Sequence, residues 1–366
     1  MPPTTPAPHG TTLRVALGVA LFLLAGVPCA CGGAVDFVGG NTATSKDAGA
    51  RSPDGSIGSG DGGSELPSLL GTLDAASDTS TASGGCAPGS QLVYVLSNNA
   101  IYSFDPPTQT FTMVASLNCL TGGMTPNSMA VDRLGNAWIN FVAVDVIDAQ
   151  TGAQAVVGGA IFKMNLTTGA CVATNIQLSP GWYQLGMGYS TASATDETDT
   201  LYVTGNNDDA ASCSDDGGST SNGLGILDTT AGTLTPVGSF TGSLAGKNAE
   251  LTGTGDGRLF GFFDLDVVKI AQIDKNTGAT SNPVSMTGVE CPYAFAFSFW
   301  GGDFYLYTAS IILPDGGNGF GKLRNSGVTH YTTADGGIDT SYVPDTGFTI
   351  VGAGVSTCAP TAPPPR

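Results

Sequence analysis

TIVGAGVS, residues Thr349–Ser356, is the last strand-like run of a 366-residue chain, and no β-prone run follows it. Four upstream runs share its small, apolar character: SMAVD from Ser128, QLGMGYS from Gln184, AELTGTG from Ala249 and AFAFSFW from Ala294. Each of these is followed by a run rich in aromatic and β-branched residues: NAWINF at Asn136, TLYVTG at Thr200, RLFGFF at Arg258 and DFYLYT at Asp303. The one such run without a predecessor is QLVYVL at Gln91, far away in sequence. Pairing TIVGAGVS with QLVYVL leaves no strand over, and it joins the end of the domain to its beginning.

The rest of each unit supports this. A third piece runs into a turn, as in AIYSFDPPTQ, AIFKMNLTTG, LGILDTTAG, VKIAQIDKNTG and, in the last unit, FGKLRNSG. A shorter fourth piece follows, such as TFTMVASL from Thr110 and TLTPVGSF from Thr233. Four antiparallel strands repeated in this way form a propeller blade. The sequence therefore predicts an all-β fold, a five-bladed β-propeller closed by pairing of the C-terminal strand with the first blade. Small residues alternate along the first strand of each unit, including Gly186 and Gly188, Thr252 and Thr254, Gly352 and Gly354, because blades converge on an axis there. Larger residues such as Trp138, Phe260, Phe262, Tyr305 and Tyr307 belong to the widening wedges outside.

Outside the repeat, Val15–Pro28 is a short apolar core behind Arg14, too short to span a bilayer comfortably, and it ends in CACGG. This resembles a bacterial lipoprotein signal with Cys31 as the lipidated residue. Pro28 departs from the usual Leu or Val, which keeps plain secretion as the alternative. The domain order is then a leader over 1–30, a Gly/Ser/Asp/Thr spacer over 31–85 that is too poor in apolar residues to fold, the propeller over 86–360 and a Pro-rich tail over 361–366. Expected localisation is exported, at the outer membrane or cell surface, with a lipid anchor as the only membrane contact; the domain is expected to be a monomer.

The phrases SMAVDRLGNAWINF, AELTGTGDGRLFGFF, AFSFWGGDFYLYT and FTIVGAGVSTCAP resemble a group of myxobacterial-type envelope proteins with a lipoprotein-like leader. The resemblance spans nearly the whole propeller. It implies an exported location and the fold, and it brings no activity with it.

Net charge is −18, and the propeller carries only Arg133, Lys163, Lys247, Arg258, Lys269, Lys275, Lys322 and Arg324 as cations. No basic stripe exists to displace counterions, so nucleic acid is excluded as a partner. His330 is the one histidine of the domain, which argues against serine-type triads and His-rich metal sites. Carboxylates are the remaining catalytic option, since glycoside hydrolysis needs an acid paired with a base or nucleophile. Glu250 stands inside a small-residue inner strand, where an acid needs water, a partner or a ligand. Asp132 and Asp303 are the other candidates, although Asp132 also reads as a turn residue of the Asp132-Arg-Leu-Gly135 corner and Asp303 as a blade-edge carboxylate. Asp208, Asp209, Asp215 and Asp216 offer oxygen ligands for calcium, but their spacing does not match a twelve-residue calcium loop, and the default is no cofactor. Trp182 and Trp300 are either sugar-stacking faces or blade packing.

Two functional readings follow: a non-enzymatic envelope or surface binding module for a glycan or protein ligand, and a carbohydrate-active hydrolase using Glu250 with Asp132 or Asp303. Six cysteines fall in the propeller, an even number suited to an oxidising compartment. Cys86 precedes the first strand and Cys358 follows the last, so the predicted closure sets them at one end of neighbouring strands, within the roughly 5.5 Å a disulfide spans. Pairing of Cys119, Cys171, Cys213 and Cys291 stays open, with sequence proximity favouring Cys119 to Cys171.

Overall fold

A computed structural model describes residues 85–148, 153–206, 221–289, 291–312 and 322–363. The leader, the spacer up to residue 84, Cys31, Cys213, Asp208, Asp209, Asp215, Asp216 and the last three residues of the tail lie outside the described residues. The protein is an all-β, five-bladed propeller, each blade an antiparallel four-stranded sheet. Blade 1 runs outward from Ile350–Val355 through Val93–Ser97 and Ala100–Asp105 to Thr110–Ser116. Blade 2 contains Thr125–Val131, Asn136–Asp148, Ala153–Asn165 and Cys171–Ala173, and blade 3 contains Gln184–Thr191, Asp199–Asn206, Gly223–Asp228 and Thr233–Gly238. Blade 4 comprises Ala249–Gly253, Leu259–Phe263, Lys269–Ile273 and Thr280–Ser285; blade 5 comprises Ala294–Trp300, Asp303–Ala309, Gly327–Thr332 and Gly337–Val343.

The closure is as the strand count requires. Val93 lies opposite Val355, Tyr94 opposite Gly354 and Leu96 opposite Gly352, antiparallel. Cys86 and Cys358 are disulfide-bonded with Cα atoms 6.1 Å apart, and a second bridge joins Cys119 to Cys171 at 5.2 Å.

The core is divided among five seams, one at each junction between blades. Side chains alternate across a strand, so Val93 and Val95 pack toward blade 5 while Tyr94 and Leu96 pack toward blade 2. A blade buried on both faces therefore reads as a continuous apolar run, as VYVLS does. Each such side chain fully withdrawn from water contributes about 1.5–3 kcal/mol. Toward the axis the seams close to backbone contact: a Cβ on Gly186 of blade 3 would lie 2.0 Å from the Ala249 carbonyl oxygen of blade 4. Gly135, at φ +74°, turns the corner between the inner two strands of blade 2, a backbone state that costs glycine nothing.

The last blade departs from the sequence reading in one respect. The repeat in the sequence makes FGKLRNSG its third strand. Instead Lys322–Leu323 pairs with Ile311–Ile312 in a separate two-stranded ribbon, Gly327–Thr332 is the third strand, and His330 lies within it. An insertion between the second and third strands displaces the alternating pattern by several residues. Blade 2 holds the other elaboration. Its middle strands run 13 residues each, and beyond the Thr125–Val142 pair they continue as a ribbon with no inner strand alongside. Among the described residues no helix is long and apolar enough to cross a membrane.

Candidate functional site

A cavity of about 210 Å³ opens where the five inner strands begin. Blade 1 contributes Val351, blade 2 Thr125, Pro126 and Asn127, blade 3 Gln184, blade 4 Glu250, and blade 5 Ala294 and Phe295. Every inner strand reaches it, so it lies on the propeller axis. Val142, Asn206, Tyr293 and Leu323 complete the wall. Its volume falls below the roughly 300 Å³ at which drug-sized pockets begin, so it suits one small unit of a larger ligand.

Glu250 is the one carboxylate among the described residues lining this cavity. It is 4% exposed, and its Oε2 accepts a hydrogen bond from the Ser128 hydroxyl at 2.8 Å. Burial drives its carboxyl well above the usual carboxylate range, while hydrogen bonds from Ser128 and the Met187 backbone pull the other way more weakly. The environment thus favours the neutral acid, which keeps an O–H to donate.

Three amides are locked around it. Asn127 Nδ2 donates to Asn140 Oδ1 at 3.0 Å and to the Leu185 carbonyl at 2.8 Å, while its Oδ1 accepts from Gln184 Nε2 at 3.2 Å. Asn206 is tied to both backbone groups of Ala249, each at 3.1 Å. Gln184 Oε1 is buried with no hydrogen-bond partner, the one such side-chain atom among the described residues. Leaving a buried acceptor unpaired costs about 1–3 kcal/mol, so the arrangement is primed for a donor. No lysine or arginine lines the cavity.

The other candidates are placed elsewhere. Asp132 lies four residues beyond Ser128, about 13 Å along the strand at 3.3 Å per residue. Its carboxylate holds the corner, accepting from the Leu134 and Asn136 backbones, the Asn136 amide and Trp138 Nε1. Asp303 faces Trp300, five residues and about 16 Å along the inner strand from Phe295. It engages His330 Nε2 at 3.1 Å and the Thr333 backbone at 2.9 Å. Neither is brought to Glu250, whereas the acid pairs of glycosidases stand about 5–10 Å apart. Trp182 is buried in the seam between blades 2 and 3, and Trp300 packs on the seam between blades 5 and 1, donating to the Gln91 carbonyl at 2.9 Å. Among the described residues no cluster of three or more His, Cys, Asp or Glu exists to hold a metal.

Sequence reasoning found Glu250 but passed over Asn127, Gln184, Asn206 and Tyr293. Aligned as inner strands, TPNSMAV, QLGMGYS and AELTGTG each carry a hydrogen-bonding side chain at the start of an otherwise small and apolar run. That offset marks the site.

No protein-family profile and no curated protein matches the chain. Solved structures similar to it include YjhT, at TM-score 0.42 and 13% identity over 68% of this chain and 80% of that one. A luciferin-regenerating enzyme is similar at 0.37 and 16% over 74% and 80%, and the Bacteroides ovatus xyloglucan PUL protein GH43B at 0.38 and 15% over 59% and 40%. Superpositions this loose carry no chemistry across to this chain.

Proposed function

We propose that the propeller is a non-enzymatic envelope or surface binding module whose axial cavity receives an uncharged, hydroxyl- or amide-bearing group, such as the end of a glycan. The buried, unpartnered Gln184 Oε1, in one cavity with a Glu250 carboxyl whose pKa burial raises, is the observation that carries this reading. An acceptor without a donor and an acid without a second acid suit binding better than hydrolysis. The two disulfides formed between described residues support an oxidising, exported setting, since such bonds persist there. Attachment through Cys31 and the spacer would hold the domain at the surface.

A glycan array and a glycosidase-substrate screen on the purified protein test the proposal. Expected are one or more bound glycans, no turnover, and binding within a few-fold of wild type in Glu250→Gln, which keeps a donor and an acceptor. Asn127→Ala should weaken the same binding at least about tenfold by releasing Gln184. Turnover by wild type that disappears in Glu250→Gln would establish the hydrolase instead.

A further inference from the structure

Two more hollows adjoin the axial cavity and extend from it over blade 5. The nearer, about 350 Å³, shares Leu323 with the axial cavity; the farther, about 230 Å³, shares Arg324, Asn325 and Pro344 with the nearer. The three share wall residues in succession, from the axis outward.

Their lining is rich in unused hydrogen-bonding groups. Thr308, Ser310, Thr329 and Thr340 line the outer hollow, and none of their hydroxyls has a hydrogen-bond partner among the described residues. Thr329 is only 4% exposed, and it lines this hollow. Arg324 stands where the two hollows meet, with no ion pair among the described residues. Arg133 and Arg258, by contrast, are each engaged by a carboxylate, Asp199 at 3.0 Å and Asp256 at 2.7 Å. Asp345 shares the nearer hollow but spends its Oδ1 on the Gly347 backbone at 2.7 Å. In a chain of net charge −18, an arginine in no ion pair among the described residues, amid idle hydroxyls, is a place for a ligand's own carboxylate.

We propose that this groove binds an oligosaccharide bearing a single uronate, with hydroxyl-rich units along blade 5, the carboxylate against Arg324 and a neutral end in the axial cavity. This rests on the binding reading above and names its ligand class. One acidic unit fits and a polyanion does not, because the strongly negative surface repels repeated charge.

Calorimetric titration of the full chain tests it, using tetrasaccharides that carry one glucuronate, each beside its carboxyl-reduced counterpart and beside a tetramer of uronates. The singly charged member should bind at least about tenfold more tightly than the reduced one, and more tightly than the polyuronate. Arg324→Gln should equalise the charged and reduced members, and Thr329→Val should weaken both while keeping the preference for charge. Binding without that preference in wild type, or a preference that survives Arg324→Gln, overturns this inference and leaves the axial reading standing. Absence of binding by every member overturns the inference as well, and the glycan array then decides the axial reading separately.

Discussion

The two ends of the propeller axis are built from the same five strands and differ in how completely their polar groups are paired. Where the inner strands end, the Arg133 guanidinium of blade 2 meets Asp199 of blade 3 at 3.0 Å, and the Thr357 hydroxyl, just past the closing strand of blade 1, donates to the same carboxylate at 2.6 Å. Arg133 also donates to Thr357 at 3.1 Å, and the disulfide between Cys86 and Cys358 lies beside them. Three blades and both termini of the domain are clasped by groups that satisfy one another. Where the strands begin, Gln184 Oε1 lacks a partner, Glu250 has no second carboxylate in its cavity, and the hydroxyls over blade 5 are idle. Saturated polar groups hold a structure, and buried unsaturated ones await a ligand, because only the latter gain a hydrogen bond on binding.

Breaking the clasp should have the largest effect. Cys86→Ser with Cys358→Ser opens a bridge spanning 272 residues, for which the chain-entropy argument allows up to about 5 kcal/mol. A fall in the urea midpoint of the oxidised variant below that of oxidised wild type checks this; an unchanged midpoint would show that strand pairing alone seals the ring. Asp199→Ala comes next. It removes the carboxylate that faces Arg133, only 14% exposed, and should cost about 3 kcal/mol in chemical unfolding while leaving ligand binding by the folded protein unaltered.

At the other end, stability and binding should part company. The folded-state pKa of Glu250 is raised, so its contribution to stability is fully present below the ordinary carboxylate range and is lost as pH rises toward the folded value. Glu250→Gln should accordingly match wild type near pH 4 and become the more stable as pH increases, by up to about 1.4 kcal/mol per pH unit between the two pKa values. Parallel stability profiles from pH 4 to 8 would contradict the burial argument. Smallest of all, Tyr293→Ala removes a cavity-lining ring that is 56% exposed. Its stability should stay within about 0.5 kcal/mol of wild type while glycan binding weakens.

Most of the fold was legible because its signals are local. Gly and Asp turns, period-two strands and small inner residues repeat in every blade, and a leftover strand at each end made the closure a matter of counting. Blade 5 was misread where an inserted ribbon interrupts that rhythm. The acid at Glu250 was visible as a residue out of place, yet its role was not, since the same residue type suits catalysis, solvation or binding. Asp132 shows the converse: a plausible catalytic acid in sequence, it is bound up in its own corner by Asn136 and Trp138.

By itself the sequence determined the blade repeat, the ring closure and the staple between Cys86 and Cys358, because each follows from patterns within one strand or from the order of strands along the chain. Only the tertiary structure decided the site. Asn127, Gln184 and Glu250 come from three different blades, and only the closed ring gathers them around one cavity. Ring closure brings the starts of all five inner strands to one axis, where burial raises the pKa of Glu250 and Gln184 Oε1 is left without a partner.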